Sequence, residues 1–172
     1  MKTLTRRAAV LASISLLVVA LSGCGNKKEP LTPGAKILTQ SELQANVAKL
    51  GYPVYWLGPR ENVEYEYTRR SDGRVYIRYV KPGTTAGSYT RFLTVGTYPM
   101  PDAYDVVKKI SRLPDAKKIA VEGGIGAQSE KKPQSVYVAF RGKDLEIEVY
   151  SPDDGVAVQE VTDGNLQAIP AG

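Results

Sequence analysis

Val63-Glu-Tyr-Glu-Tyr-Thr-Arg69 and Arg74-Val-Tyr-Ile-Arg-Tyr-Val80 alternate residue by residue, with Ser71-Asp72-Gly73 between them. Alternation of period two marks strands with two unlike faces. A three-residue loop with Gly73 in the left-handed region brings Arg70 opposite Arg74. That register sets Tyr65 across from Tyr79 and Tyr67 across from Ile77 on one face, and Glu66 across from Arg78 on the other. A two-residue Asp-Gly turn would place Tyr67 against Arg78, so side-chain chemistry selects the longer loop.

A second hairpin lies further along. Gln134-Ser-Val-Tyr-Val-Ala-Phe-Arg141 and Asp144-Leu-Glu-Ile-Glu-Val-Tyr150 flank Gly142-Lys143, a pair that suits a type II′ turn. Its register pairs Val136 with Val149, Val138 with Ile147 and Phe140 with Leu145, and sets Arg141 against Asp144 on the solvated side. Two helices are expected. Thr39 and Glu42 form a capping box ahead of Leu43, Val47 and Leu50, with Gly51 as the stop. The second runs from Asp102 to Leu113, with Val106, Val107, Ile110 and Leu113 inward and Pro114 closing it. Short strands are read at 52–59 between prolines, at 91–98, at 117–121 and at 156–161. Lys81 to Gly87 and the stretch from Gly123-Gly-Ile-Gly126 read as loops. The order helix, short strand, hairpin occurs twice, from Thr39 and from Asp102. Hairpin connections predict an α+β fold: an antiparallel sheet built from two hairpins plus extra strands, with two helices packed on one face.

The chain of 172 residues has room for one domain of ordinary size. Residues 39–161 are assigned to it, residues 24–38 to a polar tether carrying Pro30, Pro33 and Gly34, and residues 162–172 to a frayed tail.

The first 24 residues have a different character. Lys2, Arg6 and Arg7 precede an uncharged run of about 13 residues from Ala8 to Ala20, followed by Leu21-Ser-Gly-Cys24. That run is shorter than the ~20 residues of a stable span. Leu-Ser-Gly-Cys resembles the bacterial lipobox, and the resemblance covers residues 1–24. It implies cleavage between Gly23 and Cys24, with residues 1–23 a signal peptide, and lipidation of Cys24 as the mature N-terminus. It also implies attachment to a membrane through lipid on Cys24, either cell membrane or outer membrane, facing outside the cytoplasm. Thr5-Arg6-Arg7 is similar to a twin-arginine signal, but Ala9 stands where a hydrophobic residue is usual, which favours ordinary secretion. Tyr52-Pro-Val-Tyr-Trp-Leu-Gly58 and Leu93-Thr-Val-Gly-Thr-Tyr-Pro99 resemble segments of actinobacterial lipoproteins of unassigned role. That likeness transfers no function.

Composition narrows the chemistry. The formal charge of +5 falls to +2 once Lys2, Arg6 and Arg7 leave with the signal segment, too little for a nucleic-acid partner. There is no histidine, the commonest general base and metal ligand, and the one cysteine forms no intrachain disulfide. No catalytic residue, metal ligand or cofactor is assigned. Glu64 with Glu66, and Glu146 with Glu148, are the pairs that could serve a glycan hydrolase, but their alternation with apolar neighbours puts them on solvated strand faces. Gly123-Gly-Ile-Gly126 lacks the Lys-Ser/Thr of a phosphate-binding loop.

Tyrosine is the one unusual abundance: 11 Tyr and 1 Trp against 2 Phe. Aromatic faces with hydroxyl edges suit sugars and protein partners. Tyr52, Tyr55, Trp56, Tyr89 and Tyr98 form the candidate binding surface. The expectation is a non-catalytic, lipid-anchored domain that binds or scaffolds an envelope protein or glycan. A carboxylate hydrolase and a purely structural lipoprotein are the alternatives.

Overall fold

The structure, a computed structural model, describes residues 32–172. The expected signal peptide (residues 1–23) and Cys24 lie outside the described residues. The fold is α+β and mostly antiparallel sheet. Its elements in chain order are β1 (Lys36–Leu38), α1 (Gln40–Val47), β2 (Val54–Trp56), β3 (Glu64–Arg69), β4 (Val75–Val80), β5 (Thr94–Pro99), α2 (Ala103–Ile110), β6 (Ala116–Ile119), β7 (Gly124–Ser129), β8 (Ser135–Phe140), β9 (Leu145–Tyr150), α3 (Val156–Thr162) and β10 (Gln167–Ile169). Eight strands form one sheet in the order β1-β3-β4-β5-β9-β8-β7-β6, and β10 pairs with β2 in a separate ribbon.

The first hairpin takes the register its side chains demand: Tyr65 pairs with Tyr79, Glu66 with Arg78 and Tyr67 with Ile77. The Arg70 N–H donates to the Arg74 carbonyl across the loop, and Gly73 is left-handed. In the second, Val136 pairs with Val149 and Val138 with Ile147. Its turn differs from the type II′ expectation. The Lys143 N–H closes onto the Phe140 carbonyl, so left-handed Gly142 takes the second central position. Arg141 consequently stacks over the Tyr104 ring at 4.4 Å, while the Asp144 carboxylate accepts the Asp102 N–H. The predicted Arg141–Asp144 pair does not form.

The main core lies on one face of the sheet. Leu43 and Val47 of α1, Val54 to Leu57 around β2, and Ala157 and Val161 of α3 cover Tyr65, Ile77, Val95, Ile147 and their neighbours there. Helix α1 carries the full capping box, with Thr39 N–H donating to Glu42 and Glu42 N–H to the Thr39 hydroxyl. Tyrosine hydroxyls hold the irregular segment that follows β2. The Tyr79 hydroxyl accepts the Leu57 N–H at 2.6 Å and donates to the Gly58 carbonyl, and the Tyr65 hydroxyl accepts the Arg60 N–H. Buried backbone donors need such partners wherever no strand supplies them.

Helix α2 packs on the opposite face, where Ala103 and Val107 meet Ile125, Ala127 and Ala139. The expectation of two helices on one face is therefore corrected, among the described residues, to three helices on two faces. Small residues on β7 and β8 let α2 approach, a signal that alternation alone does not carry. The strand order sets the meanders β3-β4-β5 and β7-β8-β9 side by side about the β5–β9 pair, but α1 and α2 on opposite faces break any repeat of helix, strand and hairpin.

Several boundaries also change. Residues 36–38, assigned to the tether, form the edge strand β1 on β3, too short to show alternation. Residues 156–161 are helical: Ala157, Glu160 and Val161 are buried at helical spacing, and packing overrides the β-branched valines. The tail assigned to 162–172 carries β10, whose Gln167, Ala168 and Ile169 pair with Trp56, Tyr55 and Val54. Gly123-Gly-Ile-Gly126 enters β7 instead of a loop. A methyl on Gly126 would lie 2.9 Å from the Ile119 Cβ, so glycine there permits close strand packing. Leu113, expected inward, is exposed.

Candidate functional site

Three cross-strand rows define the second face of the sheet. The first runs Glu66, Arg78, Thr94, Tyr150, Ser135; the second runs Thr68, Tyr76, Gly96, Glu148, Tyr137. In the third, Tyr98 pairs with Glu146, and Glu146 with Ala139. Helix α2 covers the β7–β8 end of this face, and the loop from Lys81 to Leu93 covers the β3–β4 end. The middle, over β4, β5 and β9, stays open as a groove.

The loop wall is fastened by a buried ion pair. Glu66 is 1% exposed; one carboxylate oxygen meets Arg78 and the other accepts the Gly87 N–H at 2.8 Å. Arg78 also donates to the Ser88 and Thr90 carbonyls and lies over the Phe92 ring. The Thr32 N–H donates to the Gly87 carbonyl, so the described chain begins at this wall. Glu66 was expected on a solvated face. Alternation separates the two faces correctly, but it cannot show that a loop folds over the polar one.

The groove floor is built on Gly96. A methyl there would sit 2.7 Å from Cε1 of Tyr98, so the missing side chain lets the Tyr98 ring lie across β5. From that position Tyr98 donates to the Glu148 carboxylate at 2.6 Å, and the other Glu148 oxygen accepts the Ser135 hydroxyl at 2.7 Å. Tyr76 leans on Tyr98 with ring centroids 5.6 Å apart. Glu146 is 8% exposed and has neither a hydrogen-bond nor an ion-pair partner among the described residues.

These neighbours shift one another. Burial, then the Glu148 charge, holds the Glu146 carboxyl above the ordinary carboxylate range. Burial and the Glu148 hydrogen bond raise the Tyr98 hydroxyl, and burial with the Glu148 charge pushes Tyr137 up to about 12. The tyrosines therefore stay neutral donors.

Two hollows share Tyr76. One, about 340 Å³, is lined by Tyr76, Tyr89, Phe92 and Tyr150, with Arg70 and Arg91 at its rim. The other, about 570 Å³, is lined by Tyr76, Tyr98, Met100, Tyr137, Glu146 and Glu148. Both fall within the size range of ligand pockets.

The structure disperses the aromatic surface expected from sequence. Trp56 is 3% exposed and packs edge-on to Tyr65 in the main core. Tyr55 is buried beneath Phe140, stacked at 5.2 Å. Tyr52 is half-buried and donates its hydroxyl to the Gly73 carbonyl. All three pack in or against the main core, and Trp56 also lines a separate hollow of about 450 Å³ with Gln44, Ala48 and Gln167. Tyr98 and the exposed Tyr89 line two different hollows of the groove, which share Tyr76. Tyr76, Tyr137, Tyr150 and Ser135 join them and were missed. Their signal was the outward half of each hairpin's alternation, which becomes a surface only once β5 is known to join the hairpins. Among the described residues no cluster of His, Cys, Asp and Glu could hold a metal, and no helix is long and apolar enough to cross a membrane.

No protein-family model, no curated protein and no solved structure matches this chain.

Proposed function

We propose that this protein is a non-catalytic binding module of the bacterial cell envelope, anchored by lipid on Cys24 and holding its ligand in the groove between the 81–93 loop and α2. The observation that carries this reading is the groove itself: a tyrosine-rich strip of sheet left open while helices and loops cover the rest. Position supports it too. Thr32 lies at the groove wall, eight residues along the chain from Cys24, a reach of at most ~29 Å when fully extended. A lipid on Cys24 would therefore keep the groove within that distance of the membrane surface.

Glu146 and Glu148 are what a hydrolase reading has in its favour. A glycosidase needs its carboxylates on opposite sides of the bond it cuts. Here both rise from β9 two residues apart, and both oxygens of Glu148 are engaged by hydroxyls. That arrangement favours holding a ligand over cleaving one.

The test is an array of peptides and oligosaccharides probed with the purified full-length lipoprotein and with its Tyr76→Ala/Tyr98→Ala variant. Binding that the double variant loses supports the reading; no binding, or binding the variant keeps, overturns it. Anchoring is tested separately by Cys24→Ala, expected to leave the protein unprocessed or released. A Cys24→Ala protein that is still cut and membrane-bound would remove the lipid from the proposal.

A further inference from the structure

Glu146 and Arg70 occupy one cross-strand row. The Arg70 N–H meets the Arg74 carbonyl, the Val75–Thr97 pair sets Arg74 beside Tyr98, and Tyr98 pairs with Glu146. Three strand spacings separate the two ends, roughly 14 Å. Arg74 is already engaged by Asp72, but Arg70 has no ion-pair partner among the described residues. The groove thus carries an arginine without an ion pair at one end and, at the other, a largely enclosed carboxylate that no other side chain engages among the described residues and whose oxygens still reach solvent.

Resting on the groove-binding reading above, we propose that the ligand is a short peptide lying across the strands, with a primary ammonium at Glu146 and a carboxylate at Arg70. Glu146 lines the hollow beside the like charge of Glu148 with no counter-charge from another side chain among the described residues, and an ammonium from the ligand supplies one. An ammonium suits the place better than a metal ion. Glu148 has both oxygens taken by Tyr98 and Ser135, leaving Glu146 alone where a hard divalent ion would need about six oxygens. Tyr76, Tyr98 and Tyr137 line the same hollow, and aromatic rings attract cations. A neutral oligosaccharide would satisfy neither charged end. An extended chain rising about 3.3 Å per residue covers the span with four residues.

The test is calorimetric titration of the full-length protein with acetyl-Lys-Ala-Ala-Ala bearing a free C-terminal carboxylate. Its Nε-acetylated and C-terminally amidated forms, and a tetramer of glucosamine, serve as comparison probes. The free peptide is expected to bind, and each blocked form to bind about tenfold more weakly. Glu146→Gln should weaken the free peptide by a similar factor while leaving the Nε-acetylated form unchanged, and Arg70→Gln should do the same for the carboxylate end. Equal binding of free and Nε-acetylated peptides, or indifference to Glu146→Gln, overturns the proposal. A glucosamine tetramer that binds through Glu146 in place of the peptide also overturns it. The two readings fail differently: a neutral ligand lost in the Tyr76→Ala/Tyr98→Ala variant sinks the ammonium peptide and keeps the binding groove, whereas absence of any groove ligand sinks both.

Discussion

Glu66 and Glu146 stand on the same face of one sheet, on either side of its middle, and both are almost withdrawn from solvent. Around Glu66 every opportunity is taken: Arg78 on one oxygen, the Gly87 N–H on the other, and through Arg78 the carbonyls of the overlying loop. Around Glu146 there is Glu148, another negative charge, and no protein donor among the described residues. The first carboxylate is a fastener, and its burial is part of what keeps the 81–93 loop on the sheet. The second is held above the ordinary carboxylate range by burial and by Glu148, and no other side chain among the described residues engages it, which leaves it free for the ammonium proposed above.

The largest effect should come from breaking the satisfied end. Glu66→Gln leaves the half-buried Arg78 without its counter-charge on a buried partner and should cost about 3 kcal/mol in urea denaturation. Amide exchange should accelerate at Gly87 to Phe92 before the rest of the sheet. A cost below about 1 kcal/mol, with loop protection intact, would mean that the pair does not fasten the wall.

A smaller loss is expected in the middle of the face. Gly96→Ala drives a methyl into the Tyr98 ring and should cost about 1–3 kcal/mol. Most of that cost should disappear in a Tyr98→Ala background, because the clash then has no second partner. A penalty unchanged by removing Tyr98 would point to the strand backbone instead, and the account of the groove floor would lose its footing.

Legibility in the sequence followed the range of the interactions. The Val63–Val80 hairpin was readable residue for residue, since turn chemistry and alternation act within a dozen positions. The capping box at Thr39 was readable for the same reason. What escaped depends on distant partners. The face that α2 covers is set by Ala127 and Ala139, remote in sequence from Ala103 and Val107. Trp56 looked available because a three-residue strand between prolines shows no pattern, and β10, which pairs with it, lies more than a hundred residues on. The groove needed one further fact, the β5–β9 pairing that brings Gly96 beside Glu148. Nothing local to Gly96 announces that a tyrosine two residues later will lie over it.

The smallest effect has the opposite sign. Burial and the Glu148 charge raise the Glu146 pKa in the folded protein above its ordinary 4.5. Its contribution to stability is therefore fully present below pH 4.5, where the carboxyl is protonated folded or unfolded, and is lost as pH rises through the folded value. Above its raised pKa the wild-type Glu146 carries a charge its surroundings oppose, and Glu146→Gln removes that charge while keeping the shape. The variant should melt higher than wild type at pH 7, by roughly 2–5 °C. The gap should close as the pH is lowered through the raised folded value, where the wild-type carboxyl takes up its proton, and be gone below 4.5. Thermal melts of both proteins across that range decide the matter. A Glu146→Gln protein that melts lower at pH 7 would mean that Glu146 has a favourable partner after all, and the contrast with Glu66 would collapse into two fasteners. If the variant gains stability while losing the ammonium-bearing peptide, stability and binding part company at one atom pair, as they must where a protein keeps an unsatisfied charge for something it has yet to meet.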